Sequence, residues 1–192
     1  MSLKHGLLGL LNYGSMTGYE LDKAFRDSLD FFWQAKTSQV YRELDTMEGL
    51  GWLTSERVIQ SEKPNKRVYT ITDKGKEELT NWLLMSEADI ADAMRTKSAF
   101  LMRIFFAGES SDEQALEALR AYRSRCLEEA QKMSAAWEAM PQYETWVNDA
   151  GKTRYWKIAA MYGDTYFRAG IEWADKAIAF LEKGGINSEE KT

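Results

Sequence analysis

Apolar residues recur at helical spacing through the first third of the chain. They give way to two short β-prone runs, and helical spacing then returns for the second half. Leu3–Tyr13 (LKHGLLGLLNY) sets Leu7, Leu10 and Leu11 on one face, with Leu3 a turn earlier and Leu8 pointing elsewhere. That predicts a helix with more than one apolar contact. Asn12–Gly18, with two glycines and a serine, reads as a turn. A second helix is expected to start at Thr17, with Glu20 at capping-box spacing and Leu21, Ala24 and Phe25 facing inward. Asp27–Gln34 is an aromatic connector. A third helix follows, with Thr37 or Ser38 as its cap. Val40, Leu44, Met47 and Leu50 form its inward stripe, Gln39, Arg42 and Thr46 lie opposite, and Gly49 and Gly51 end it.

Trp52–Gln60 and Arg67–Thr72 follow, joined by a polar turn with Pro64 and Asn65, so a β-hairpin is expected. Thr72 then caps a fourth helix through Leu79, Trp82 and Leu83. Beyond Met85 three longer helices are expected, over about Ala88–Phe106, Asp112–Met140 and Trp146–Lys183. Asp112 is read as a cap and Pro141 as a stop. The fold class is therefore mainly α with a small β-hairpin. A winged helix-turn-helix occupies 1–85, a helical dimerisation and effector domain 86–183, and a loose polar tail 184–192. The last helix carries Tyr155, Trp156, Tyr162, Tyr166, Phe167, Trp173 and Phe180, more aromatic surface than an 85-residue neighbour can cover. It predicts a partner chain, most simply an identical one.

Composition narrows the chemistry. With one histidine (His5) and one cysteine (Cys126) there is no zinc-type cluster, no nucleophile–base set and no intrachain disulfide, and a reducing compartment is expected. His5 reads as a surface or junction residue. Gly151-Lys152-Thr153 resembles the end of a phosphate loop, but Trp146 stands where the loop needs its first glycine and no strand precedes it. No apolar run approaches the ~18 residues of a membrane span. No cofactor is expected, and enzymatic activity is not.

The net charge of −5 at pH 7 opposes nucleic-acid binding on its face. Locally the sign reverses. Lys36 and Arg42 lie in 33–42 without an acid, and Lys63, Lys66, Arg67, Lys74 and Lys76 crowd 63–76 against Asp73 alone. Affinity for DNA depends on the charge that meets phosphate, not on the total. Thr37, Ser38, Gln39, Tyr41 and Arg42 are the candidates on the third helix. Ser38, Gln39 and Arg42 would lie nearest base edges, glutamine suiting adenine and arginine guanine. Lys63, Asn65, Lys66 and Arg67 are candidates for phosphate or minor groove. Thr17, with the amides of Gly18 and Tyr19 at a helix start, is a candidate phosphate site.

The chain also resembles the PadR-type transcriptional regulators. The resemblance is carried in order by MSLKHGLLGLL, SMTGYELDKAF, FFWQAKTSQVYRELDTMEGLGWL and PNKRVYTITDKGKEEL. Less specifically, it continues through SAFLMRIFFAGE and YWKIAAMYGDTYFRAGIEWADKAI, so that it covers about residues 1–182. It implies a cytoplasmic homodimeric repressor with an N-terminal winged helix and a C-terminal helical dimerisation domain. It also implies an inverted-repeat operator in double-stranded DNA and, in some members, release by a small aromatic effector. Arg42 departs from the proline common in the family at that position.

The aromatic residues of the second half read first as dimer core. The alternative is a cavity between the two halves in which an aromatic ligand stacks, with Trp33, Phe100, Tyr155, Trp156 and Tyr162 as candidates. Two rival functions stay open: a winged helix that binds protein instead of DNA, and a ligand-transforming enzyme.

Overall fold

The computed structural model describes residues 3–59, 65–93 and 97–184. The chain divides into two compact units, Met1–Met94 and Arg95–Thr192. Among the described residues, no helix is long and apolar enough to cross a membrane.

The first unit runs α1 (Leu3–Leu11), β1 (Met16–Thr17), α2 (Gly18–Leu29), α3 (Thr37–Gly49), β2 (Leu53–Val58), β3 (Lys66–Ile71), α4 (Asp73–Trp82) and α5 (Glu87–Ala93). Leu7, Leu8 and Leu11 of α1, Leu21 and Phe25 of α2, and Val40, Leu44 and Met47 of α3 close one core, which Leu53, Tyr69 and Leu79 complete. Leu8, off the main stripe of α1, is as buried as Leu7, as a helix with more than one contact requires. Leu50 departs from expectation. It lies one residue past the end of α3 as its C-cap and is 41% exposed, because the chain turns there through Gly51 at φ 74°.

The sheet has three strands, not the two of a hairpin, in the order β1-β3-β2 and antiparallel throughout. Met16 and Thr17, read as part of a turn, pair with Tyr69 and Val68. Two residues cannot display alternation, so only the approach of β3 makes them a strand. His5 is buried at the junction of α1 and α4. Its Nε2 lies 3.0 Å from Glu78 Oε1, and its ring stacks on Trp82 at 4.7 Å.

The second unit holds α6 (Ala99–Phe105), a 3-10 turn (Ala107–Glu109), α7 (Asp112–Val147) and α8 (Ala150–Glu182). Arg120 meets Glu182 at 2.7 Å and Lys157 meets Glu144 at 2.8 Å, so α7 and α8 run antiparallel. Ala115, Leu119, Cys126 and Met133 of α7 are buried, as are the small residues Thr153, Ala160, Gly163 and Ala174 of α8. Small side chains on one helix let the bulkier face of the other come close.

Several expected boundaries shift. Pro141 does not stop α7, which continues to Val147. A proline inside a helix costs about 3 kcal/mol. The segment beyond it is fastened to α8 by Glu144–Lys157 and capped by Asn148, which adopts the left-handed conformation at φ 50°. That turn delays α8 to Ala150, with Asp149 as its cap. Ser111, not Asp112, caps α7. The helix expected over 88–106 is two, α5 and α6, and Ser98 caps the second.

Candidate nucleic-acid interface

The start of α2 is built as expected. The Thr17 hydroxyl accepts from the Glu20 amide at 3.2 Å, while the Thr17 amide and hydroxyl donate to Glu20 Oε2 at 2.8 and 2.7 Å. These hydrogen bonds from Thr17, backbone first, with the Lys66 cation nearby, hold the Glu20 carboxyl below its ordinary range. The Thr17 side chain is thus engaged inside the protein, and a carboxylate stands at the candidate phosphate site. Gly18 is buried and Tyr19 is 73% exposed.

The N-terminal end of α3 is fixed by residues that sequence reasoning passed over. Lys36, not Thr37 or Ser38, is the N-cap, and its amide donates to Gln39 Oε1 at 2.8 Å. The Thr37 hydroxyl donates to Asp22 Oδ2 at 3.1 Å and accepts from Arg26 Nη2 at 2.6 Å, and Arg26 Nε also reaches Asp22 at 3.1 Å. The spacing of Asp22 and Arg26, four apart on α2, was readable as an ion pair. That it grips the next helix was not. Ser38 and Arg42 are exposed, as is Thr46, whose hydroxyl donates to the Arg42 carbonyl at 2.9 Å. Tyr41 is 42% exposed and its ring packs over Gly18.

On the hairpin, Lys63 lies outside the described residues. Asn65 and Lys66 are exposed at the start of β3. Arg67 turns toward α3. Its Nε donates to Ser55 Oγ at 2.6 Å, Nη2 to Glu48 Oε2, and Nη1 lies 3.4 Å from Asp45 Oδ1, with the guanidinium 5.3 Å from the Tyr69 ring centre. Burial disfavours the Arg67 cation, but Tyr69, Glu48 and Asp45 outweigh it and raise its pKa. Glu48, Asp45 and Ser55 gave no signal in the sequence, because they lie 12 to 22 residues from Arg67.

Of the aromatic candidates, Trp33 lies in the first unit and Phe100, Tyr155, Trp156 and Tyr162 in the second. Trp33 is 38% exposed in the first unit. Phe100 stacks on Tyr122 at 4.8 Å, with the Trp173 edge against both rings. Phe100 also lines a cleft of about 580 Å³ with Arg103, Phe106 and Gln114. The Tyr122 phenol is pushed up to about 12 by burial and by its hydrogen bond with Cys126. Tyr155 and Tyr162 stand out from α8, 59% and 68% exposed, Tyr155 under the Arg154 guanidinium and Tyr162 beside Tyr166, while Trp156 is half-buried. Among the described residues no group of histidine, cysteine and carboxylate side chains could hold a metal ion.

Comparison with known proteins fits this geometry. Residues 7–81 match the Transcriptional regulator PadR-like family, and residues 96–182 match Virulence activator alpha C-term. The negative transcriptional regulator PadR of Bacillus subtilis is 37% identical over 113 residues, a region that spans 59% of this chain and 60% of that relative's length. The crystal structure of Bacillus subtilis PadR in complex with operator DNA superposes with a TM-score of 0.73 at 25% identity, covering 94% of this chain and 99% of that one. The same protein in complex with p-coumaric acid gives 0.67 at 22% identity, covering 94% and 95%. The winged-helix unit and these likenesses together show that residues 7–81 form a domain of the PadR-like family of transcriptional regulators, in a chain that shares the fold of the Bacillus subtilis PadR structure.

Proposed function

We propose that this protein is a cytoplasmic, sequence-specific DNA-binding regulator, a homodimeric repressor released from its operator by a small aromatic ligand. Residues 1–85 bind DNA, 86–183 dimerise and take the effector, and 184–192 form a tail. The observation that carries the reading is the open N-terminal half of α3. Ser38 and Arg42 are exposed there on a helix whose other side is locked into the core by Val40, Leu44 and Met47. Such a helix enters a major groove by its N-terminal end, with Ser38, Gln39 and Arg42 toward base edges. Lys66 and Asn65 on the wing meet phosphate, and the Gly18 and Tyr19 amides lie beside the backbone.

The second unit supports self-association. Tyr155, Ile158, Tyr162 and Tyr166 fall on one stripe of α8, each more than half exposed. A contiguous apolar stripe of that kind marks an interface. Two copies joined there would hold two recognition helices about 34–36 Å apart, one turn of DNA. An effector weakens operator binding only through its different affinity for the DNA-bound and free arrangements.

Selection of bound fragments from random duplex DNA tests this directly. An enriched inverted repeat is expected, bound less tightly in the presence of p-coumaric acid. No enrichment, and binding without salt dependence, would favour the protein-interaction reading instead. A repeat that is enriched but unaffected by p-coumaric acid and other phenolic acids would keep the regulator and remove the aromatic effector.

A further inference from the structure

We propose that Arg67 is a positioning residue, which straps the wing to the C-terminal half of α3 and does not itself meet phosphate. The proposal rests on the DNA-binding reading above and refines it, since Arg67 stands among the cations that the sequence offers for phosphate.

The sheet register explains why Arg67 turns as it does. Arg67 lies directly opposite Arg57, and Tyr69 opposite Ser55, so these four side chains share one face of the hairpin. Like charges facing each other across an antiparallel pair repel. Asp45 and Glu48, three apart on α3, offer Arg67 an alternative. It takes them with all three guanidinium nitrogens: Nε to Ser55 at 2.6 Å, Nη2 to Glu48 and Nη1 toward Asp45 at 3.4 Å. Ser55 closes the ring by donating to Glu48 Oε1 at 2.7 Å. A planar fork engaged along its length fixes direction as well as distance.

Charge argues the same way. Two carboxylates, Glu48 and Asp45, flank the Arg67 guanidinium and take up its charge, so it has less to offer a phosphate than an unpaired cation. Lys66, one residue earlier, points to the other face of the ribbon, and its charge helps to lower the Glu20 carboxyl at the start of α2. The acids Asp45 and Glu48 lie beyond Arg42 on α3, so the strap sits away from the end that would enter a groove. The side chains of Arg67, Asp45 and Glu48 are 46%, 71% and 29% exposed. Exposed pairs add little stability. What the network supplies is the angle between the wing and α3.

The test is binding of the full chain to a selected duplex and to a mixed-sequence duplex over a range of NaCl, by fluorescence anisotropy. Arg67→Ala should weaken specific binding roughly tenfold while leaving the slope of log affinity against log salt unchanged, because no phosphate contact is lost. Glu48→Gln should weaken it too, although removing a negative charge near DNA would by simple electrostatics tighten it. The double variant should lose no more than the worse single one, and Arg67→Lys, which cannot bridge both acids, should recover little. Lys66→Ala, by contrast, should lower the slope by about 1. Without DNA, amide exchange across the β2–β3 hairpin should quicken in both Arg67→Ala and Glu48→Gln, with unchanged circular dichroism confirming the fold. A slope reduced by about 1 in Arg67→Ala together with tighter binding by Glu48→Gln would make Arg67 a phosphate contact and overturn the proposal. Hairpin exchange that ignores both substitutions would overturn it as well. Wild-type protein that binds no duplex in a salt-dependent way would instead sink the reading beneath it, and the proposal with it.

Discussion

A Cβ built on Gly18 would stand 2.6 Å from Cε1 of Tyr41, so the first residue of α2 is the floor on which α3 rests its aromatic ring. The two residues are 23 positions apart, and their contact sets how closely α2 and α3 approach. Gly18→Ala must push the ring aside. Overpacking of this kind costs about 1–3 kcal/mol, the lower end applying where a ring tip can swing toward solvent. The penalty should vanish in a Tyr41→Ala background, because the clash then has no second partner. Urea unfolding of the four proteins measures both terms, and an equal penalty in both backgrounds would place the strain elsewhere.

Glu20 makes the start of α2 sensitive to acid. Its folded-state pKa is depressed by hydrogen bonds from the Thr17 amide and hydroxyl, with a smaller contribution from Lys66. A depressed carboxyl contributes stability that is present above its unfolded pKa and lost as pH falls through the folded one. Stability of the wild type should therefore decline below about pH 4.5, on the ordinary scale for glutamate. Glu20→Gln should be less stable than wild type near neutrality, with the gap closing in acid. Urea midpoints at a series of pH values check the sign, and a gap that widens in acid would refute it.

Arg42 is the cation within α3 itself and is exposed, six residues past the Lys36 N-cap. Arg42→Ala should relax base preference at one position of each half-site and cost about 1–3 kcal/mol on the selected sequence. Binding to mixed-sequence duplex should change much less. A preference profile identical to that of the wild type would remove Arg42 from base recognition.

The open stripe on α8 predicts a dimer that charge can break. Ile158 and Tyr162 are 60% and 68% exposed, one turn apart, and neither belongs to the buried face that meets α7. Ile158→Glu with Tyr162→Glu places two acids on that stripe of each copy. Sedimentation equilibrium should show the variant as a monomer at concentrations where the wild type is a dimer, with helix content retained. A variant that sediments like the wild type would put the self-association surface elsewhere.

Local patterns decided much about this protein. The 40-44-47 stripe, the capping box at Thr17 and Glu20 and the Thr72 cap each depend on neighbours within a few residues, and each stands in the structure as read, while the β-prone runs give strands at Leu53–Val58 and Lys66–Ile71, with Gln60 outside the described residues. The open face of α3 follows from the same periodicity, because burying one side of a helix leaves the other to solvent. Tertiary structure decided what local pattern could not carry. Met16 and Thr17 become a strand only when β3 arrives beside them. Pro141 stays inside α7 because packing against α8 outweighs its intrinsic preference to end a helix. Thr37 and Arg67, read as candidates to meet DNA, stay at the surface but are engaged there, because Asp22, Arg26, Asp45 and Glu48 come within hydrogen-bond distance after folding. Charge interactions act through space between groups distant in sequence, so a chain alone shows which cations exist, and the fold determines where they are engaged.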